Sequence, residues 1–506
     1  MTDKQLSADS HIVTRGAGLA FLGRMGALFE PVSVVVFAQL YGAPNLGLFL
    51  LLWGYVQLIV AATDLATSVA LQRFIPSTKD EDKVHAILKA SILVSIVLSV
   101  IASLALTLAA PWLATHINAE EGVSGDLSLI IATYAWAIPI WCLVEVTTAA
   151  MRARRAFGPE VRIRVLYEQG LRLISGVAFF LMGMPIYGLF LSHLLAIAVT
   201  LVASFYNLRR YYDLRRAWAA PLKAAGLREL VRFGLPMVGT ASLKKFQSNF
   251  PIFLLNFIIP GAQGATAVAV YSVARKVSSA LQGIRMSFDY VIAPLAASKN
   301  PLSERDALQD MFTFTTRLMV SIFIPATAVM LILSRDILMV VGSEFAAASG
   351  LLVALALGRA VEAAVGPSAS LVEMLARYRL PLINNATGFA VTALLMLLLV
   401  PGWGAMGAAV SSAIGLSVTA LMALGEAWVL YGLKPYDRRI FRPLSTAFLG
   451  GAVIIALVKI AEPYGMAPRL AAAAIGLLTA FYFLLRFGYS NRDAAAFGKF
   501  ARWLRN

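Results

Sequence analysis

Residues 87–110 read ILKASILVSIVLSVIASLALTLAA. After Lys89 no charged side chain interrupts the run to Ala110. A helix needs roughly 20 consecutive apolar residues to cross the hydrocarbon core, so this stretch is long enough to span a membrane. Reading outward from it in both directions gives about fourteen such windows. They lie near 16–40, 46–71, 87–110, 127–150, 164–184, 186–208, 232–259, 265–297, 311–333, 346–373, 380–400, 405–432, 444–461 and 467–487. Pro31, Pro139, Pro236, Pro251, Pro294 and Pro367 fall inside windows. Such kinks are tolerated where neighbouring helices or water satisfy the freed backbone groups. The expected fold class is all-α, a polytopic membrane protein with about 14 transmembrane helices.

The composition agrees. Of 506 residues 59% are apolar and 14% charged, against about a quarter charged in a typical soluble protein. Mean hydropathy is +0.77. Disordered chains are poor in apolar residues, which excludes that class. The net charge of +16 sits in an otherwise oily chain, which argues against a soluble nucleic-acid binder. One cysteine, Cys142, excludes a disulfide framework and a cysteine-based metal site. His11, His85, His116 and His193 are scattered, so no metal and no cofactor is expected. Met1 to Arg15 is polar and the apolar run after it is too long for a signal-peptide core.

The loops give the orientation. With both termini in the cytoplasm, the cytoplasmic loops and tails hold 31 Lys and Arg, while the opposite loops hold 2, Arg335 and Arg469. This is the positive-inside asymmetry, and it supports an even number of spans. The two halves of the chain resemble each other. GLFLS at 188–192 with Val199-Thr200 matches GAAVS at 407–411 with Val418-Thr419, an offset of 219 residues. A repeat of six spans inserts both copies in the same orientation. The expected organisation is an N-tail 1–15, a first lobe 16–208, a basic linker 209–228, a second lobe 229–432, an appended pair of spans 433–487 and a C-tail 488–506.

Ten basic residues remain within spans: Arg24, Arg172, Lys244, Lys245, Arg275, Lys276, Arg285, Arg317, Arg359 and Lys459. Eight acids join them: Glu30, Asp64, Glu145, Glu168, Asp289, Glu362, Glu373 and Glu426. An intramembrane charge costs at least ~2.5–3.5 kcal/mol, so it faces a cavity or a partner. Arg317, Lys459 and Glu426 are within reach of an interface and are expected to snorkel. Lys244, Lys245, Arg275, Lys276, Arg285, Asp289, Arg359 and Glu362 lie deeper. Arg275, Ser278, Gln282, Arg285 and Asp289 follow a stride of three to four residues and share a helix face. Ser242, Lys245, Asn249 and Asn256 do the same on the preceding span. Arg285 with Asp289 and Arg359 with Glu362 are spaced to pair locally. Even so, six deep bases face two deep acids. A wet cavity that receives an anion accounts for the surplus, and arginine suits planar or bidentate recognition of phosphate.

Several stretches carry a family resemblance. They are YGAPNLGLF at 41–49, ATSVALQRFIP at 66–76, FGLP at 233–236, AVAVYSVAR at 267–275 and GAMGAAVSS at 404–412. Together they resemble the Wzx-type oligosaccharide flippases of the multidrug/oligosaccharidyl-lipid/polysaccharide exporter superfamily, over spans one to twelve. The resemblance implies two six-helix lobes in a V-shaped arrangement plus two extra C-terminal helices, working by alternating access. It implies a lipid-linked oligosaccharide carried on polyprenyl diphosphate across the cytoplasmic (inner) membrane for surface polysaccharide or O-antigen synthesis. Polysaccharide polymerase, glycosyltransferases and membrane lipids are the implied partners, and the protein is a transporter rather than an enzyme. The candidate substrate-binding residues are Arg24, Lys244, Lys245, Arg275, Lys276, Arg285 and Arg359. The candidates for ion coupling are Glu30, Asp64, Asp289 and Glu362. One departure stands out: the deep cations are concentrated in the second lobe. A multidrug or cation antiporter of the same superfamily is the alternative, and it predicts an anionic cavity. A membrane polymerase or ligase needs a sizeable external loop, and the longest here, about Pro111 to Asp126, is too short for a domain.

Overall fold

The computed structural model describes residues 29–119, 127–156, 158–184, 186–297, 303–375 and 379–490. Among the described residues every regular element is a helix. Each of the fourteen windows meets a helix, the first only from Phe29 onward. Residues 26–272 form one compact unit and residues 273–506 another.

The unit of residues 26–272 contains α1 (Phe29–Thr63), α2 (Thr67–Ser77), α3 (Glu81–Ala114), α4 (Leu127–Tyr134), α5 (Ala137–Ala153), α6 (Glu168–Leu181) and α7 (Tyr187–Leu208). A short α8 (Leu214–Ala219) lies on the basic linker, followed by α9 (Leu227–Ile258) and the start of α10 (Gly261–Ala297). The division between units falls inside α10, after Ser272. Close approach explains why α9 and the start of α10 pack with α1. Tyr55 and Phe253 stack at 4.4 Å. A Cβ at Gly47 would collide with the Ala265 carbonyl, so the α1 and α10 backbones meet where only glycine fits.

The stretch at 87–110 lies on α3, and its burial pattern is that of a membrane helix. Ser91, Ser95, Ser99 and Ser103, spaced by four, are buried, while Ile101, Leu104 and Leu108 are exposed. Small polar residues let helices approach and hydrogen-bond, and large apolar ones face lipid. Ser103 donates to the Ala135 carbonyl at 2.8 Å, and the Ser95 and Thr67 hydroxyls lie 2.9 Å apart. Toward the linker, Leu71, Ile87, Leu88, Val146, Met151 and Leu208 close an apolar core.

The second unit holds the rest of α10, then α11 (Arg305–Ile332), α12 (Ser349–Ala364), α13 (Ser368–Leu375), α14 (Arg379–Tyr431), α15 (Phe441–Ile460) and α16 (Met466–Phe483). α14 has 53 residues, about 80 Å if straight against a hydrocarbon core of about 30 Å. It is a hairpin instead. The backbone leaves the helical region at Gly404, three residues after Pro401. Gly388 then backs onto Thr419, and Gly415 onto Thr392. The arms are the two windows 380–400 and 405–432. α12 and α13 are bent by 52° at a break holding Gly366 and Pro367. Eight helices among the described residues are long and apolar enough to cross a membrane, or nine with that bent pair taken as one span. α9 and α10 are not among them; they carry Lys244, Lys245, Arg275, Lys276, Arg285 and Asp289.

Candidate functional site

Four of the deep charges form one network in the unit of residues 273–506. Arg285 and Asp289 lie one turn apart on α10, with Nη1 and Oδ2 at 3.3 Å. Glu362 on α12 offers one oxygen to each of two arginines. Its Oε1 is 3.1 Å from Arg285 Nη2, and its Oε2 is 3.1 Å from Arg359 Nη1. Ser370 on α13 donates to Asp289 Oδ1 at 2.7 Å, which the bend at Gly366 makes possible. The two pairs expected from spacing are thus joined into a neutral quartet. The four side chains are 9–17% exposed, so Arg285 and Arg359, already paired by their spacing, are balanced in place.

The other deep cations stand elsewhere. Lys244 and Lys245 are exposed on α9 within the unit of residues 26–272. Lys245 Nζ donates to Gln57 Oε1 at 3.2 Å, a neutral partner. Asn249 and Asn256, on the same expected stripe, are buried and bond to backbone. Asn249 Nδ2 donates to the Lys245 carbonyl at 3.0 Å. Asn256 and Asn118 donate to each other's carbonyls at 2.8 and 2.6 Å. Arg275 and Lys276 are half-buried on α10. Arg24 and the side chain of Glu30 lie outside the described residues.

Asp64 occupies the break between α1 and α2. Thr67 and Ser68 hydroxyls donate to its Oδ1 at 2.6 and 3.2 Å. Leu65 and Ala66 beside it have φ of 47° and 52°, a left-handed conformation that non-glycine residues adopt at a cost. The carboxylate therefore holds a strained turn. Arg317 does not snorkel: it is 4% exposed and pairs with Asp437 at 2.7 Å. The reason is local, because residues 434–440 fold back over the end of α11 and supply the acid, with Lys434 and Gln309 joined by a 2.9 Å hydrogen bond.

A second charged cluster was not legible as a site in the sequence. In the unit of residues 26–272, Glu168 Oε1 lies 3.2 Å from Arg172 Nη1 and 3.7 Å from His193 Nε2. The Tyr134 hydroxyl and His193 Nδ1 are 2.6 Å apart, and the Trp53 ring meets the imidazole edge-on at 4.5 Å. Four elements, α1, α4, α6 and α7, converge here. Arg172 Nε is buried with no hydrogen-bond partner among the described residues. A π-helical segment, Arg162–Tyr167, leads directly into α6, a geometry frequent at functional sites. The Glu168–Arg172 spacing of four was the one available signal; nothing in the sequence marks His193. Among the described residues no group of three or more His, Cys, Asp or Glu side chains is placed to hold a metal ion.

Helices of this length and apolarity, several of them carrying charged side chains, describe a polytopic membrane protein. The family of polysaccharide biosynthesis proteins matches the chain over residues 13–298. The chain belongs to that family. As a member of it, the protein has the fold of known membrane transporters. It is similar to the lipid II flippase MurJ in an inward closed conformation, with TM-score 0.70 and 10% identity, covering 92% of this chain and 98% of that one. It is similar to an inward-facing multidrug resistance MATE family transporter of the MOP superfamily, with TM-score 0.64 and 15% identity, covering 81% and 94%. A third likeness is to a MOP superfamily transporter from Pyrococcus furiosus, described as having a binding pocket of reverse polarity, with TM-score 0.60 and 15% identity, covering 85% and 98%. No curated protein matches the sequence. The family match, the apolar helices and the fold shared with these transporters make this a multi-pass membrane protein of the polysaccharide biosynthesis family.

Proposed function

We propose that this protein flips a polyprenyl-diphosphate-linked oligosaccharide from the cytoplasmic to the periplasmic leaflet of the inner membrane. The cargo then feeds surface polysaccharide synthesis, with a polymerase and glycosyltransferases as neighbours in the process. The observation that carries this reading is Lys245, an exposed cation on α9 whose bonded partner is a neutral amide. Lys244 stands beside it, neither lysine forms an ion pair among the described residues, and the diphosphate supplies the anion. The lobes that alternate access are the six-span repeats 16–208 and 229–432, with both termini cytoplasmic. Coupling to an ion runs through the quartet. Neutralising Glu362 or Asp289 would release Arg285 and Arg359 toward an anion, and ion release would recapture them.

The experiment is complementation. A strain lacking the gene should lose surface polysaccharide, and Lys244→Ala with Lys245→Ala should fail to restore it while membrane protein level holds. Normal polymer in that double variant sinks the site. Normal polymer in the deletion strain, with altered drug susceptibility instead, replaces the flippase reading by the antiporter one.

A further inference from the structure

A groove of about 1010 Å³ runs along the unit of residues 273–506, between α11, α12 and α15. Ala328, Ala363 and Ala452 leave the space, and Phe323, Phe448 and Ile455 wall it. Along α15 it extends from Phe441 to Ile455, about 21 Å at 1.5 Å per residue, more than half of a hydrocarbon core of about 30 Å. An open groove of that size leaves its walls without dispersion partners.

One end is polar. Tyr436, Asp437 and Arg438 line it, and the Tyr436 hydroxyl donates to the Ala364 carbonyl, fastening this mouth to α12. The Asp437 carboxylate is engaged by Arg317 at 2.7 Å. Arg438 is exposed there, and Arg439, next to it in the chain, is exposed as well. The mouth is therefore cationic while the rest of the groove is apolar. By the positive-inside count it opens at the cytoplasmic surface, where anionic headgroups attract such clusters.

We propose that the groove holds one anionic glycerophospholipid of the cytoplasmic leaflet. An acyl chain lies against α11, α12 and α15, and the phosphate sits at Arg438 and Arg439. The lipid would bridge the appended helix α15 to the bundle where the side chains leave a void.

The test is native mass spectrometry of the full-length protein purified from vesicles of mixed phosphatidylglycerol and phosphatidylcholine. The expected result is one phosphatidylglycerol retained at detergent concentrations that strip phosphatidylcholine. Ala452→Trp, at an exposed wall position, should abolish retention by filling the groove. Arg438→Gln and Arg439→Gln, both exposed and safe for folding, should each lower it roughly fivefold. Equal retention of the two lipids, or unchanged retention in Ala452→Trp, overturns the proposal. Displacement of phosphatidylglycerol by an equimolar polyprenyl phosphate also overturns it and gives the groove to the carrier lipid.

Discussion

Glu362 carries the quartet, because its two oxygens serve two arginines from different helices. Removing one member of a buried charge network leaves uncompensated charge, at a cost of roughly 3–5 kcal/mol. Glu362→Gln is therefore expected to lower the detergent-solubilised protein's stability by about 3 kcal/mol, read as a fall in its thermal midpoint. If the quartet also couples ions, the folded fraction of this variant should translocate without its normal dependence on the ion gradient. Retained dependence would leave the quartet a purely structural clamp. The spacings of Arg285 to Asp289 and Arg359 to Glu362 were readable in the sequence. The bond from Arg285 to Glu362, which joins them across 77 residues, was not. It depends on how α10 and α12 pack. The same holds for His193, whose partners Tyr134, Trp53 and Glu168 come from three other helices.

Helix ends are decided nearby in the chain. Asp80 caps α3, its Oδ1 accepting from the Asp82 amide at 2.9 Å, with Glu81 and Asp82 in the first turn. Asp80→Ala should cost about 1 kcal/mol, seen as faster amide exchange confined to the first turn of α3. Asp213 does the same for α8, accepting from the Arg215 and Arg216 amides at 2.9 and 3.1 Å. The Arg216 amide hydrogen bond holds the Asp213 carboxyl below its ordinary range. A lowered folded value means the cap contributes above the unfolded value of about 3.9 and is lost as the pH falls through the folded one. The protection of α8 over that of Asp213→Ala should thus be full at neutral pH and vanish in strong acid; a difference that grows on acidification would contradict this. Each cap is an Asp directly before the helix it caps. The reversal inside α14 was legible in the sequence, since windows 380–400 and 405–432 bracket Pro401 and Gly404. The inward face of α3 was less so. Its serines recur every four residues, yet only packing shows that they turn toward Ala135 and Thr67 while leucines face outward.

Orientation belongs to the whole molecule. The ratio of 31 cytoplasmic to 2 external basic residues predicts which surfaces are reachable from outside. Cys142 is the single native cysteine and is buried, so a Cys142→Ser background suits labelling. A membrane-impermeant maleimide added to intact spheroplasts should modify Glu462→Cys and spare Ser490→Cys until the membrane is opened. The reverse pattern would invert the topology. Composition, window length and loop charge settle class, helix positions and expected orientation, because the bilayer imposes its thickness and charge asymmetry on every segment alike. Those constraints act on a segment by itself, so the sequence alone reports them. Which charges neutralise each other is settled only by helix packing. An arginine in hydrocarbon takes whichever carboxylate the fold brings within about 3–4 Å. Hence the balanced state of Arg285 and Arg359, the clasp of Arg317 on Asp437 and the hidden cluster around His193 belong to the tertiary structure.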